Sequence, residues 1–145
     1  MTNTWVAMLT DEALGNVVGA GIDAVELDRF RQSLSRTPGL LDRLFSEAER
    51  EYAFEMADPT ERLAARFAAK EAVMKAMGVG LWTFKLRAVE VCRQPSGAPF
   101  LVLHGKAAEL ALTRGIGSWL LSITHTDLTA YALAVALRVP DAPSP

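Results

Sequence analysis

From position 17 the chain reads as short apolar runs separated by turn residues. Val17-Val18-Gly19-Ala20-Gly21-Ile22-Asp23-Ala24-Val25 is apolar and glycine-bearing, and predicts a buried strand. Leu27, Phe30 and Leu34 follow at i, i+3 and i+7, the stripe of an amphipathic helix, and Pro38-Gly39 ends it. Ser46 with Glu49 three residues on has the form of a capping box, so a second helix is predicted from about Glu47. Asp58 caps a third helix with Pro59 in its first position. That helix runs to about Met77, where Gly78 and Gly80 stop it.

The second half is richer in strand. Leu86 to Cys92 alternates, and Pro95-Ser96-Gly97 turns it into Pro99-Phe100-Leu101-Val102-Leu103, a hairpin pattern. Lys106 to Arg114 reads as a short helix closed by Gly115. Trp119–Thr124 and Thr129–Leu137 are apolar runs flanking Asp127. The alanines of the second suit a helix by propensity, but its partner run is short and the link is turn-like, so both are read as strands. The order β-α-α-α-β-β-α-β-β defines an α+β single domain with a mainly antiparallel sheet packed with helices. Residues 1–16 are read as an N-terminal extension, 17–138 as the domain, and 139–145 as a Pro-rich tail.

Composition narrows the class. A chain of 145 residues that is 50% hydrophobic and 22% charged is one folded domain. Its one cysteine, Cys92, excludes an internal disulfide and a cysteine-based zinc site. Fifteen basic against 17 acidic residues give net −2, which argues against a protein that coats nucleic acid. No apolar run approaches a membrane span, and Met1–Thr10 lacks the pattern of a signal peptide, so a cytoplasmic protein is expected.

The third helix carries the densest chemistry. Leu63, Phe67 and Met74 share one stripe, and Arg62, Arg66 and Lys70 climb a neighbouring face. Glu71 and Lys75 lie on another side beside Ala64, Ala68 and Ala72, small residues that let a ligand or another element come close. Glu71 and Lys75 at i, i+4 also fit an ordinary surface pair. Asp23 interrupts an apolar strand; it caps the next helix, meets a cation or titrates neutral, because an unpaired buried carboxylate is costly. Asp23 with Glu71 would make an all-oxygen site suited to a hard cation such as Mg²⁺. His125 stands at the mouth of a turn, where a local hydrogen-bonding role is the simpler reading. His104, Cys92, Trp5, Trp82 and Trp119 are read as structural. The lone Gly19-x-Gly21 is not a dinucleotide fingerprint.

Gly21-Ile22-Asp23, Leu44-Phe45-Ser46-Glu47-Ala48-Glu49, Arg66-Phe67-Ala68-Ala69-Lys70-Glu71-Ala72 with Lys75-Ala76, and Ser122-Ile123-Thr124-His125-Thr126 together resemble the holo-[acyl-carrier-protein] synthases, the short bacterial-type 4′-phosphopantetheinyl transferases. The resemblance covers about residues 17–138. It implies transfer of the 4′-phosphopantetheine group from coenzyme A to a serine of an apo acyl carrier protein, and a homotrimer with each active site at a subunit interface. It implies Asp23 and Glu71 as magnesium ligands, Glu71 and Lys75 as catalytic residues, and Lys75 beside the pyrophosphate. His125 and Thr126 fall where the family holds coenzyme A, as does the loop from Gly78. Arg66 falls at a contact to its phosphates, from the same subunit or the adjacent one. Arg29 and Arg36, seven apart on the first helix, match a basic face for an acidic carrier; fatty-acid and polyketide carriers both stay open. The 78–84 loop departs from the family in its bulky apolar residues, and the extension before Val17 is longer than usual. A catalytically weak module binding coenzyme A or carrier protein, and a magnesium-dependent hydrolase of the pyrophosphate, are the competing functions.

Overall fold

A computed structural model describes residues 15–140. The expectations for residues 1–14 and 141–145, Trp5 included, lie outside the described residues. Strand β1 spans Val17–Glu26 and runs directly into helix α1, Leu27–Arg36. Short helix α2 (Leu40–Leu44) and α3 (Glu47–Phe54) lead to the long α4 (Thr60–Met77). Strands β2 (Val89–Arg93) and β3 (Pro99–Leu103), helix α5 (Gly105–Thr113), and strands β4 (Ile116–His125) and β5 (Thr129–Arg138) complete the domain. The sequence pattern did not resolve α2. It also placed the hairpin strand too early, because Leu86–Ala88 forms a single 3-10 turn before β2.

The strands make two antiparallel sheets, β1-β5-β4 and β2-β3. Alternation in β5 explains why an alanine-rich run is a strand. Ala130, Ala132, Ala134 and Ala136 are all buried, while Tyr131 and Leu133 point to the other face and are exposed. Helix α4 lies across the alanine face, and small side chains on both partners let it come close. A Cβ placed on Gly21 would lie 2.0 Å from the Ala72 carbonyl oxygen, so only glycine fits there. The expectation of a fully buried β1 is corrected: α4 covers one face only, and Ile22 on the other is 64% exposed.

The helix boundaries follow local chemistry. Ser46 and Glu49 form the capping box, with Glu49 Oε1 accepting the Ser46 N–H at 2.9 Å. Helix α4 starts one residue later than expected, with Pro59 at the N-cap, and Asp58 Oδ1 accepts the Thr60 N–H at 3.0 Å just ahead of it. Gly78 ends it in the left-handed region at φ 67°, donating to the Lys75 carbonyl while Val79 donates to Met74, a Schellman cap. Phe30 stacks on Phe67 at 5.3 Å and fixes α1 against α4. Just beyond the ends of β4 and β5, the Val139 N–H donates to the Gly115 carbonyl at 2.8 Å.

Candidate active site

The close seating of α4 on β1 brings three of the expected residues together. Asp23 lies on the same face of β1 as Gly21, toward the helix. Lys75 Nζ donates to Asp23 Oδ1 and to the Ile22 carbonyl, both at 2.9 Å. The i, i+4 spacing suggested a Glu71–Lys75 surface pair, but the lysine crosses to the strand instead. Glu71 is half-buried and makes no ion pair or side-chain hydrogen bond among the described residues. Burial, and then the charge of Asp23, push its pKa above the ordinary carboxylate value, with Lys75 opposing them. Two carboxylates therefore share one neighbourhood with one ammonium.

Gly78 sits one turn past Lys75, so the loop it opens leaves from the edge of this site. Its left-handed backbone, not crowding, is what calls for glycine there. Arg114 donates to the Met77 carbonyl and closes the same helix end.

Other expected residues lie elsewhere on the chain. His125 ends β4 opposite Ala130, and its Nε2 is 3.1 Å from Glu61 Oε1 in the first turn of α4. Glu61 and Glu71 are ten residues apart on one helix, about 15 Å along its axis. Thr126 organises the β4–β5 turn, its hydroxyl oxygen accepting the Leu128 and Thr129 N–H groups. Arg66 is buried at 6% exposure and stacks 4.1 Å from the Tyr52 ring centroid, with Nε unpartnered. Arg62 and Arg93 cover the same ring at 4.0 and 4.6 Å. The sequence did not signal this cluster, nor Glu61 as the partner of His125, because both form across long stretches of chain. Arg29 and Arg36 are exposed on α1 and unpaired among the described residues, whereas Arg31 is held by Asp28 and Asp58.

Comparison with known proteins gives the class. Residues 19–136 match the 4′-phosphopantetheinyl transferase superfamily, and the chain belongs to that family. Within it, the chain is 46% identical over 118 residues to the holo-[acyl-carrier-protein] synthase of Moorella thermoacetica, covering 81% of this chain and 91% of that one. It is 48% identical over 122 residues to the holo-[acyl-carrier-protein] synthase of Frankia alni, covering 83% and 97%. The fold superposes on a Bacillus anthracis holo-(acyl-carrier-protein) synthase solved with coenzyme A (3′,5′-ADP), with a TM-score of 0.72 and 31% identity over 86% of this chain and 99% of that one.

Proposed function

We propose that this chain transfers the 4′-phosphopantetheine arm of coenzyme A to a serine hydroxyl of an apo acyl carrier protein, giving holo carrier and adenosine 3′,5′-bisphosphate. The observation that carries the reading is the convergence of Asp23, Glu71 and Lys75 where α4 rests on β1. In the transfer, serine Oγ bonds to the phosphorus that bears pantetheine, and the bond from that phosphorus to the bridging oxygen breaks. Serine needs a base to attack. Glu71, without a side-chain partner among the described residues, is the group assigned to take its proton. Lys75 places a positive charge beside the departing pyrophosphate oxygens.

The donor set fits a hard divalent cation. Asp23 and Glu71 supply only oxygen and number two, since no group of three or more His, Cys, Asp or Glu placed to hold a metal occurs among the described residues. Such an ion would complete its shell with water and phosphate oxygens, as Mg²⁺ does. Bound there, Mg²⁺ would neutralise charge on the pyrophosphate.

The homotrimer belongs to the same proposal. Ile22, Leu120 and Leu133 stand 64%, 59% and 42% exposed on the open face of the three-stranded sheet, an apolar surface of the kind that assembly covers. His125 rests on Glu61, about 15 Å along α4 from Glu71, which also favours a site completed by a second subunit, with His125, Thr126, Arg66 and the Gly78 loop assigned to coenzyme A. Arg29 and Arg36 are assigned to the acidic carrier, and the cytoplasm to the reaction on the strength of these substrates.

Intact-mass spectrometry of an apo carrier protein incubated with this protein, coenzyme A and Mg²⁺ tests the reading. A magnesium-dependent gain of one phosphopantetheine is expected. No gain on several carriers, with coenzyme A still bound, would favour a binding module instead. Free phosphopantetheine released without carrier would favour a hydrolase.

A further inference from the structure

A cleft of about 910 Å³ opens between α2, the 82–88 segment and the start of α5. Its volume is that of a small-molecule site. None of Asp23, Glu71, Lys75, Arg66 or His125 lines it; only Trp82, Thr83 and Phe84, the far end of the loop from Gly78, connect it to the groups assigned to coenzyme A. Its walls are apolar, built from Leu40, Leu44, Phe84, Leu86 and Ala88, with the Trp82 indole at its edge.

The charged groups around those walls are nearly all of one sign: Arg43, Lys85, Arg87 and Lys106 against Asp42. Arg43, Lys85 and Lys106 line the cleft, and none makes an ion pair or side-chain hydrogen bond among the described residues. The one carboxylate among the lining residues, Asp42, is already paired with Arg50. An apolar cavity with uncompensated cations complements a ligand that has an apolar body and an anionic end. A neutral ligand would leave the cations unmatched, and a small inorganic anion would leave the apolar walls unfilled.

Trp82 adds an independent sign. The sequence suggested a packing residue, yet Trp82 is 80% exposed and its backbone is left-handed, φ 75°. That conformation is strained for an aromatic residue. The Gly80 carbonyl holds it by accepting from the Thr83 amide and hydroxyl, at 3.4 and 2.8 Å. The strain therefore sits where the cleft meets solvent.

We propose that this cleft binds a fatty carboxylate, with its chain against Leu40, Leu44, Phe84 and Leu86 and its head toward Arg43, Lys85 and Lys106. Dodecanoate, titrated calorimetrically into the full-length protein below its micelle concentration, is the probe. One-to-one binding is expected, at least tenfold tighter than that of dodecyltrimethylammonium, which has the same tail and the opposite charge. K85E/K106E changes two exposed, unpaired residues, and a thermal melt checks that it folds. It should weaken dodecanoate at least tenfold, and R43E, made separately, should weaken it in the same direction. Equal binding of the two amphiphiles, or an unchanged dodecanoate affinity in both variants, would overturn the proposal. So would absence of dodecanoate binding to the parent protein; loss of carrier-protein affinity in K85E/K106E alongside it would assign the cleft to protein docking.

Discussion

Lys70 and Glu49 form an ion pair with both side chains fully buried, Nζ to Oε1 at 2.8 Å. Lys70 also donates to the carbonyls of Leu86 and Val89, and Glu49 Oε2 accepts the Val91 N–H at 3.2 Å. One pair thus joins α3, α4 and β2. The next residue, Glu71, is turned about 100° around the helix and feels the charge of Asp23. The charge that locks α4 into the core and the charge assigned to chemistry are therefore adjacent in sequence and separate in space.

Removing one member of this pair strands the other in the core. Lys70→Met should destabilise the fold by about 3 kcal/mol or more. Adding Glu49→Gln should recover part of that loss, since the amide oxygen still accepts one backbone N–H. Urea unfolding of the single and double variants measures both. Additive losses would show that the pair is not coupled.

The contact of α4 with β1 has no spare volume. A Cβ at position 21 would meet Ala72 O at 2.0 Å and Lys75 Cβ at 2.9 Å. Gly21→Ala should cost about 1–3 kcal/mol as overpacking. It should also reduce transfer activity, because the same shift moves Lys75 away from Asp23. Thermal melts and turnover of the one variant separate the two effects.

Asp23→Asn and Glu71→Gln keep shape and remove charge. Each should lower transfer activity by about a hundredfold or more, with circular dichroism and melting temperature close to the parent. Near-normal turnover of either variant at limiting Mg²⁺ would remove that residue from the proposed metal site.

Hydrogen bonds from Thr60, and then from Arg31, hold the Asp58 carboxyl down to about 2 from an ordinary 3.8. A depressed carboxylate stabilises the fold above its ordinary value, and that contribution fades as pH falls through the folded value. Asp58→Ala should therefore melt below the parent at pH 7, and the gap should shrink between about pH 4 and pH 2. Melting curves across that range check it.

Ile22 pairs with Leu133 on the open sheet face. If that face holds the proposed trimer together, Ile22→Arg with Leu133→Asp should yield a smaller assembly in sedimentation velocity. An unchanged mass would exclude the face as the interface.

Much of this protein is written in local sequence. Ser46 and Glu49 cap α3, Asp58 binds the Thr60 N–H at the head of α4 and Gly78 ends that helix, because each acts on backbone groups within a few residues. The alternation Ala130, Ala132, Ala134, Ala136 also makes β5 a strand despite the helix propensity of alanine. The Phe-Ala-Ala-Lys-Glu-Ala run and its companion motifs carried the family. Tertiary structure decided what local pattern cannot carry. Lys70 reads as a helix-surface cation until Glu49, 21 residues earlier, meets it in the core. Lys75 sits at surface-pair spacing from Glu71, yet the close approach of Gly21 to Ala72 turns it to Asp23. Helix α2, the Leu86–Ala88 turn and the exposed Trp82 depend in the same way on what packs beside them. Short-range hydrogen bonding fixes where elements begin and end, whereas the partner of a long charged side chain is settled only when distant elements share one space.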